Sequence, residues 1–314
     1  MRDTGAVRVL KGHGTENDFV LLPDLDGRIG LTPELTRALC DRRAGIGADG
    51  VLRVVASEHA PEAAGQNAPF FMDYRNADGS LAEMCGNGVR VFVRYLHRAG
   101  LADGVVDVAT RGGTRRTTVG GDGAITVEMG VPVFLDARPT VTVRSGAGGA
   151  SGVCRAPATA PPPVTLAPAT APPMTNGAAA TALLMPNPHV VVALADRAAL
   201  DALDLARAPT VEPALPEGQN VEFVARVGER HLVMRVHERG VGETRSCGTG
   251  ICAAVVAVTG SGGGDGDGAP WRVDVPGGSC QVRWRDDGTV TLTGPAVIVA
   301  ELDLDDAWLA AVTG

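Results

Sequence analysis

Apolar and polar positions alternate over residues 7–10, and this spacing predicts an opening strand. Residues 11–18 are polar and glycine-rich and read as a turn region, followed by a second apolar run at 19–22. Thr32 before Pro33 predicts a helix running to about residue 42, because Thr caps well and Pro suits the first helical position. A loop at 45–50 precedes a strand at 51–55, and a strand at 70–74 ends in the turn 76–79. Val89, Val93 and Leu96 recur at helical spacing over 89–97, with Gly100 as the stop. Short strand-like runs follow at 105–110, 115–119 and 125–129, and later at 182–185, 190–194, 272–275, 280–284, 290–292 and 297–300. Residues 156–173 hold seven Pro, six Ala and three Thr, a composition that builds neither helix nor ladder and reads as an extended insertion. Residues 260–268 read as a second flexible patch.

A long-period repeat overlies this pattern. Met84-Cys-Gly-Asn-Gly-Val-Arg-Val-Phe-Val93 echoes Ser246-Cys-Gly-Thr-Gly-Ile-Cys-Ala-Ala-Val255, with the cysteines 162 residues apart. Asn76 lies nine residues before Cys85 and Glu238 nine before Cys247, each in a polar turn after a strand. Asn17-Asp-Phe-Val-Leu-Leu22 parallels Asn187-Pro-His-Val-Val-Val192. The period is too long for a solenoid, so it predicts two similar halves facing across a cleft.

Composition narrows the class. The chain has 314 residues, enough for two domains, with 45% hydrophobic and 20% charged residues, which describes a folded α/β or α+β protein. Its formal charge of −8 speaks against nucleic acid and anionic membranes as partners. Lys11 is the only lysine, so a Schiff-base mechanism has one candidate. The N-terminal residues carry no apolar segment of the secretory kind, and no apolar run approaches the ~20 residues of a membrane span. The six cysteines read as reduced thiols in a cytoplasmic protein: Cys40, Cys252 and Cys280 as packing residues, Cys154 as exposed and incidental.

Cys85 and Cys247 are different because their context is duplicated. A Cys-Gly-x-Gly that opens a helix places sulfur at the positive end of the helix dipole, an environment that favours thiolate. The glycines let backbone N–H groups approach a carboxylate closely. Two such thiols aimed at one carbon from opposite sides suit a racemase or epimerase: one removes the α-proton and the other returns a proton to the opposite face.

The ordered blocks His13–Val20, Arg43–Gly50, Tyr74–Gly79, Met84–Gly88, Asn187–His189, Gly218–Val221 and Glu238–Gly250 resemble the diaminopimelate epimerase family over residues 7 to 300 or so. The resemblance implies an isomerase that interconverts LL- and meso-2,6-diaminopimelate in lysine and peptidoglycan precursor synthesis, with no organic cofactor and no metal. It implies Cys85 and Cys247 as the acid/base pair, with Cys85 on the L face, and His189 and Glu238 as groups tuning the thiols. Backbone N–H groups of Gly86, Asn87, Gly248 and Thr249 would hold the carboxylate at the reacting centre. Asn17, Asn76, Asn187, Asn220, Glu238 and Arg239 would bind the rest of the substrate, the guanidinium pairing with a distal carboxylate. Two positions depart from the family pattern: Gly50 stands where some members carry a side-chain amide, and Met185-Pro186 precedes Asn187 where glycine is more usual.

Proline racemase and hydroxyproline epimerase share this two-cysteine logic, but usually carry histidine where Asn87 stands and need no site for a distal zwitterion. A pyridoxal-phosphate racemase would have to use Lys11. A cysteine hydrolase leaves the second cysteine motif unexplained. Zinc binding lacks a paired cluster. An amino-acid binding protein has no need of both thiols. The expected fold is therefore α+β: two pseudo-symmetric halves, each a curved mixed or antiparallel sheet around a central helix, with the active site in the interdomain cleft. The expected halves are residues 1–131 with 298–314, and 132–297 including the insertion, with hinges near 131 and 297. The expected partners are a small-molecule substrate and a second copy in a homodimer.

Overall fold

The computed structural model describes residues 7–145, 152–154, 180–260 and 268–313. The Pro-rich segment 156–173, the side chain of Cys154 and most of the glycine patch at 260–268 lie outside the described residues. The chain divides into two compact units, Met1–Val127 with Gly294–Gly314, and Glu128–Thr293. Among the described residues no helix is long and apolar enough to cross a membrane.

The first unit opens with a hairpin of β1 (Arg8–Gly14) and β2 (Asn17–Pro23). Residues 11–18, read from sequence as a turn region, are therefore mostly strand. The turn itself is only Thr15-Glu16, with φ of 50° and 60°. Neither residue announces a left-handed turn, which is why sequence pattern missed it. Helix α1 (Pro33–Cys40) begins as expected: the Thr32 hydroxyl accepts from Leu35 N and Pro33 takes the first position. Then come β3 (Gly50–Ala56), β4 (Phe70–Asn76), α2 (Gly86–Arg98), β5 (Val105–Ala109), β6 (Arg115–Val119) and β7 (Ile125–Gly130). The C-terminal strand Val297–Asp303 returns to pair antiparallel with β1. The C-terminal helix Asp306–Thr313, which the sequence reading did not find, lays Trp308 and Leu309 against the cluster of Leu35, Leu39, Val20 and Leu22. Helix α2 buries Val89, Val91, Phe92, Val93 and Leu96, and packs against β1 to β4 and β6. Its apolar face holds it there.

The second unit comprises β8 (Val133–Phe134), β9 (Thr140–Ser145), β10 (Gly152–Cys154), β11 (Ala180–Leu184), β12 (Pro188–Leu194), α3 (Arg197–Asp201), β13 (Leu203–Asp204) and β14 (Thr210–Glu212). It continues with β15 (Asn220–Gly228), β16 (His231–Glu238), β17 (Gly242–Thr244), α4 (Gly248–Thr259), β18 (Trp271–Val275), β19 (Gly278–Trp284) and β20 (Val290–Gly294). Strand β9 pairs with β10, β13 and β14 in a small separate sheet. Helix α4 is buried throughout from Gly248 to Ala257 and packs on β11, β12, β15, β16 and β19. A helix apolar on every side needs a sheet around it.

The two units repeat one topology. In the first, the pairs β1–β2, β2–β3, β3–β4, β4–β5, β5–β6 and β6–β7 run antiparallel, parallel, antiparallel, parallel, antiparallel, antiparallel. In the second, β11–β12, β12–β15, β15–β16, β16–β18, β18–β19 and β19–β20 give the same series. Each cysteine helix occupies the same crossover, α2 between β4 and β5, α4 between β16 and β18. Mixed sheets with few helices make the class α+β.

Candidate active site

Both cysteines are the residues immediately before a helix. Cys85 (φ −142°, ψ 119°) caps α2 and Cys247 (φ −123°, ψ 113°) caps α4. Helix α2 thus starts at Gly86, one turn earlier than its apolar periodicity indicated, because the glycines carry no pattern. Gly86-Asn87 and Gly248-Thr249 form the first positions of the two helices, where N–H groups have no carbonyl one turn earlier to bond.

Around Cys85 the structure brings together two of the anticipated residues, Asn17 and Asn87. Gly88 N donates to Cys85 Sγ (3.4 Å), and Cys85 Sγ–H donates to Asn17 Oδ1 (3.6 Å). Asn87 Nδ2 donates to the same Asn17 Oδ1 (3.2 Å), while Asn17 Nδ2 donates to Asp49 Oδ2 (2.7 Å). Asn87 Oδ1 in turn accepts from Arg90 Nη2 (2.9 Å), and Arg90 also donates to Thr15 Oγ1 (3.2 Å) in the left-handed turn. Arg90 is fully buried and Asp49 is pushed up by desolvation and by neighbouring Asp18. Burial works against ionised Asp18, but hydrogen bonds from Arg42 and Lys11 hold it far below the usual carboxylate range. A line of polar groups thus runs from a buried cation through two amides to a carboxylate, and fixes both amide orientations. Asn76 stands apart: its Nδ2 donates to Ser80 Oγ (3.0 Å) within its own turn.

Lys11 is not beside a loop, as the sequence suggested. It lies within β1, ion-paired to Asp18 at 2.5 Å and bonded to Gly47 O. Gly50 also receives a structural explanation. A Cβ there would lie 2.5 Å from Arg75 O and 2.7 Å from Tyr74 Cε2, so a side-chain amide at this position would collide with β4.

In the second unit Thr249 and Glu238 bond to Cys247, while Asn187 and Asn220 adjoin His189. Cys247 Sγ lies 3.4 Å from Thr249 Oγ1. His189 is fully buried, its Nε2 3.0 Å from Asn187 Oδ1 and its Nδ1 2.7 Å from Glu222 Oε1. Asn220, paired in register with His189, accepts from Arg239 N (2.9 Å), and the Arg239 guanidinium donates to Glu217 O (2.5 Å). Pro186 is exposed, while Met185 N donates to Asn187 O (2.9 Å) and closes the loop that carries Asn187.

The electrostatics correct one expectation. The helix start was expected to favour thiolate at both cysteines. At Cys247, desolvation raises the thiol well above its ordinary range, and the charges of Glu238 and Glu222 add to it, outweighing the Thr249 hydroxyl and the Gly250 amide. Glu238 is itself raised by desolvation, against hydrogen bonds with Thr244 and Cys247. Cys40, Cys252 and Cys280 are buried and not in disulfides, as packing residues should be; burial pushes Cys40 up to about 12.

Sequence reasoning missed Glu222, Arg90, Asp49 and Thr244. Glu222 had a legible signal, since it lies two residues after Asn220 and so on the same strand face, within the apolar run Val-Glu-Phe-Val. Arg90 likewise interrupts the apolar face of α2.

A duplicated α+β unit thus carries a cysteine immediately before the same helix in each copy. In shape the chain is similar to a hydroxyproline epimerase from Agrobacterium vitis, with a TM-score of 0.61, 15% identity and 100% coverage of both chains. By sequence, the family model for diaminopimelate epimerase matches residues 9–135 and 181–299. A diaminopimelate epimerase of Streptomyces coelicolor is 47% identical over 316 residues, covering 98% of each chain. One from Thermobifida fusca is 44% identical, covering 95% of this chain and 98% of that relative. The chain belongs to the diaminopimelate epimerase family.

Proposed function

We propose that this chain interconverts LL- and meso-2,6-diaminopimelate by moving one proton at one Cα, using two cysteines and no organic cofactor. In the LL to meso direction the Cys85 thiolate takes the α-proton: an S–H bond forms, the C–H bond breaks and its electron pair stays as a planar carbanion. Cys247 then gives up its thiol proton to the opposite face, and the sulfur keeps the S–H pair. Protons and electrons balance, and the reverse reaction exchanges the two roles.

The observation that carries this reading is the repeated cysteine cap, in one topological position of each unit, together with the names of the curated relatives. The raised Cys247 thiol supports it as the group protonated at the start. N–H groups of Gly86, Asn87, Gly248 and Thr249 would stabilise the carboxylate and the charge developing beside it. Glu238 would meet the α-ammonium group. Asn17, Asn76, Asn187, Asn220 and Arg239 would hold the remaining polar groups of the substrate. On the same reading the enzyme supplies lysine and peptidoglycan precursors and works as a cytoplasmic homodimer.

Cys85→Ala and Cys247→Ala test the assignment. Each should lower epimerisation by about 10³-fold or more while leaving thermal unfolding unchanged within a few degrees. Full activity in either variant would remove that residue from the mechanism.

A further inference from the structure

The repeated topology allows the two cysteine surroundings to be compared position by position. In the first unit, register pairs Phe19 with Gly50; in the second it pairs His189 with Asn220. Asn17 stands two residues before Phe19 as Asn187 stands two before His189, and Leu52 follows Gly50 as Glu222 follows Asn220. Phe19 and Leu52 lie beneath Gly88, and Glu222 lies beneath Gly250, the third residue of the cysteine helix in each unit. A Cβ on Gly88 would lie 3.2 Å from Leu52 Cδ2 and 3.6 Å from Phe19 Cζ; one on Gly250 would lie 2.6 Å from Glu222 Oε1. All four side chains are buried, with Glu222 and His189 at 0% exposure. The fold is thus satisfied by Phe and Leu at this place. The second unit instead buries an imidazole and a carboxyl, and leaves Glu222 Oε2 without a hydrogen-bond partner among the described residues. Such a buried acceptor costs free energy that an apolar pair would avoid.

We propose that Glu222 is a positioning residue for proton transfer at Cys247, its carboxyl locking the ring plane and proton placement of His189 while its flank closes against Gly250. This rests on the reading of Cys247 as an acid/base group. His189 Nε2 faces the Asn187 carbonyl oxygen and so carries a proton. One further proton lies in the 2.7 Å bond between Nδ1 and Glu222 Oε1. The ring cannot turn without breaking both bonds. The titratable groups sharing this site are His189 from β12, Glu238 from β16 and Cys247 before α4. Glu222 adds to the upward displacement of both Cys247 and Glu238, which gives its loss a measurable sign.

Glu222→Leu copies Leu52, and Glu222→Gln keeps the shape without the charge. Glu222→Gln, which still offers His189 Nδ1 a hydrogen-bond partner, should unfold near the wild-type temperature, whereas Glu222→Leu leaves that buried nitrogen unpartnered and should unfold a few degrees lower. Both should lose kcat by about tenfold or more with KM changed less than about threefold, the mark of a group acting after binding. In a Cys85→Ala background, the pH midpoint for iodoacetamide labelling of Cys247, read by mass spectrometry, should fall by about one unit in Glu222→Gln. Wild-type kcat in both folded variants, or an unmoved labelling midpoint, would reduce Glu222 to packing and overturn the proposal. The labelling midpoint decides this even if one variant misfolds. Absence of diaminopimelate turnover in the wild type would instead overturn the functional reading, leaving the labelling result to judge Glu222 separately.

Discussion

At the residue scale, what decides the site is how closely neighbours approach and which charges are left facing sulfur. Gly50 illustrates the first. Its would-be Cβ sits 2.5 Å from the Arg75 carbonyl oxygen, so Gly50→Gln should destabilise the protein by about 1–3 kcal/mol, seen as a lower Tm. An unchanged Tm would show that β4 yields easily and that the family amide could be accommodated. Cys247 illustrates the second. On the proposed mechanism activity needs one thiolate and one thiol, so the alkaline fall of kcat/KM would report loss of the last thiol proton. Because desolvation, Glu238 and Glu222 raise Cys247, that fall should lie above the ordinary cysteine range of ~8.5. A fall at or below that range would contradict the assignment of Cys247 as the retained proton. Cys85 and Cys247 stand out in the sequence because they sit in a duplicated motif, and Asn17 and Asn87 only through the family resemblance. Arg90 and Glu222 stand out only as charges inside apolar runs, and their roles, like that of Asp49, come from partners that folding brings to them.

At the element scale, the parts with local physical signatures could be read in advance. Helix α1 follows from Thr32 and Pro33 alone, and Thr32→Ala should cost about 1 kcal/mol in chemical denaturation. No loss would mean that packing against Leu35 and Leu39 makes the cap redundant. The β15–β16 hairpin has no such signature: its turn, Glu229-Arg230, is charged, and its register is held by long-range neighbours. One of these is Asp274 on β18, which accepts from His231 at 2.7 Å and from Arg272 at 2.8 Å. Burial opposes the charged form of Asp274, yet the bonds from Arg272, Ser279 and His231 hold it at about 2. A depressed carboxyl gives stability that is present above its unfolded value of ~4 and fades as pH falls toward 2. Asp274→Asn should therefore narrow the stability difference between pH 6 and pH 3. An identical acid profile would show that Asp274 contributes nothing to β16–β18 pairing.

At the scale of the whole molecule, the account depends on duplication. Two Cys-Gly-x-Gly helix starts in the sequence correspond to two units with one series of strand pairings, each placing its cysteine at the same crossover. That much was readable from a period of 162 residues. What the repeat concealed is part of its own asymmetry: the sequence parallel already sets Phe19 against His189, but only register sets Leu52 against Glu222. The central claim, that the pair of thiols epimerises diaminopimelate without added cofactor, is tested most directly by NMR in D₂O with dithiothreitol. LL-diaminopimelate and L-proline are supplied in parallel, with neither pyridoxal phosphate nor metal added. The account predicts deuterium at Cα of diaminopimelate, with the meso isomer appearing, and none in proline. Exchange into proline alone would keep two-thiol chemistry but move the substrate to a rival class, and exchange into neither would contradict the claim outright.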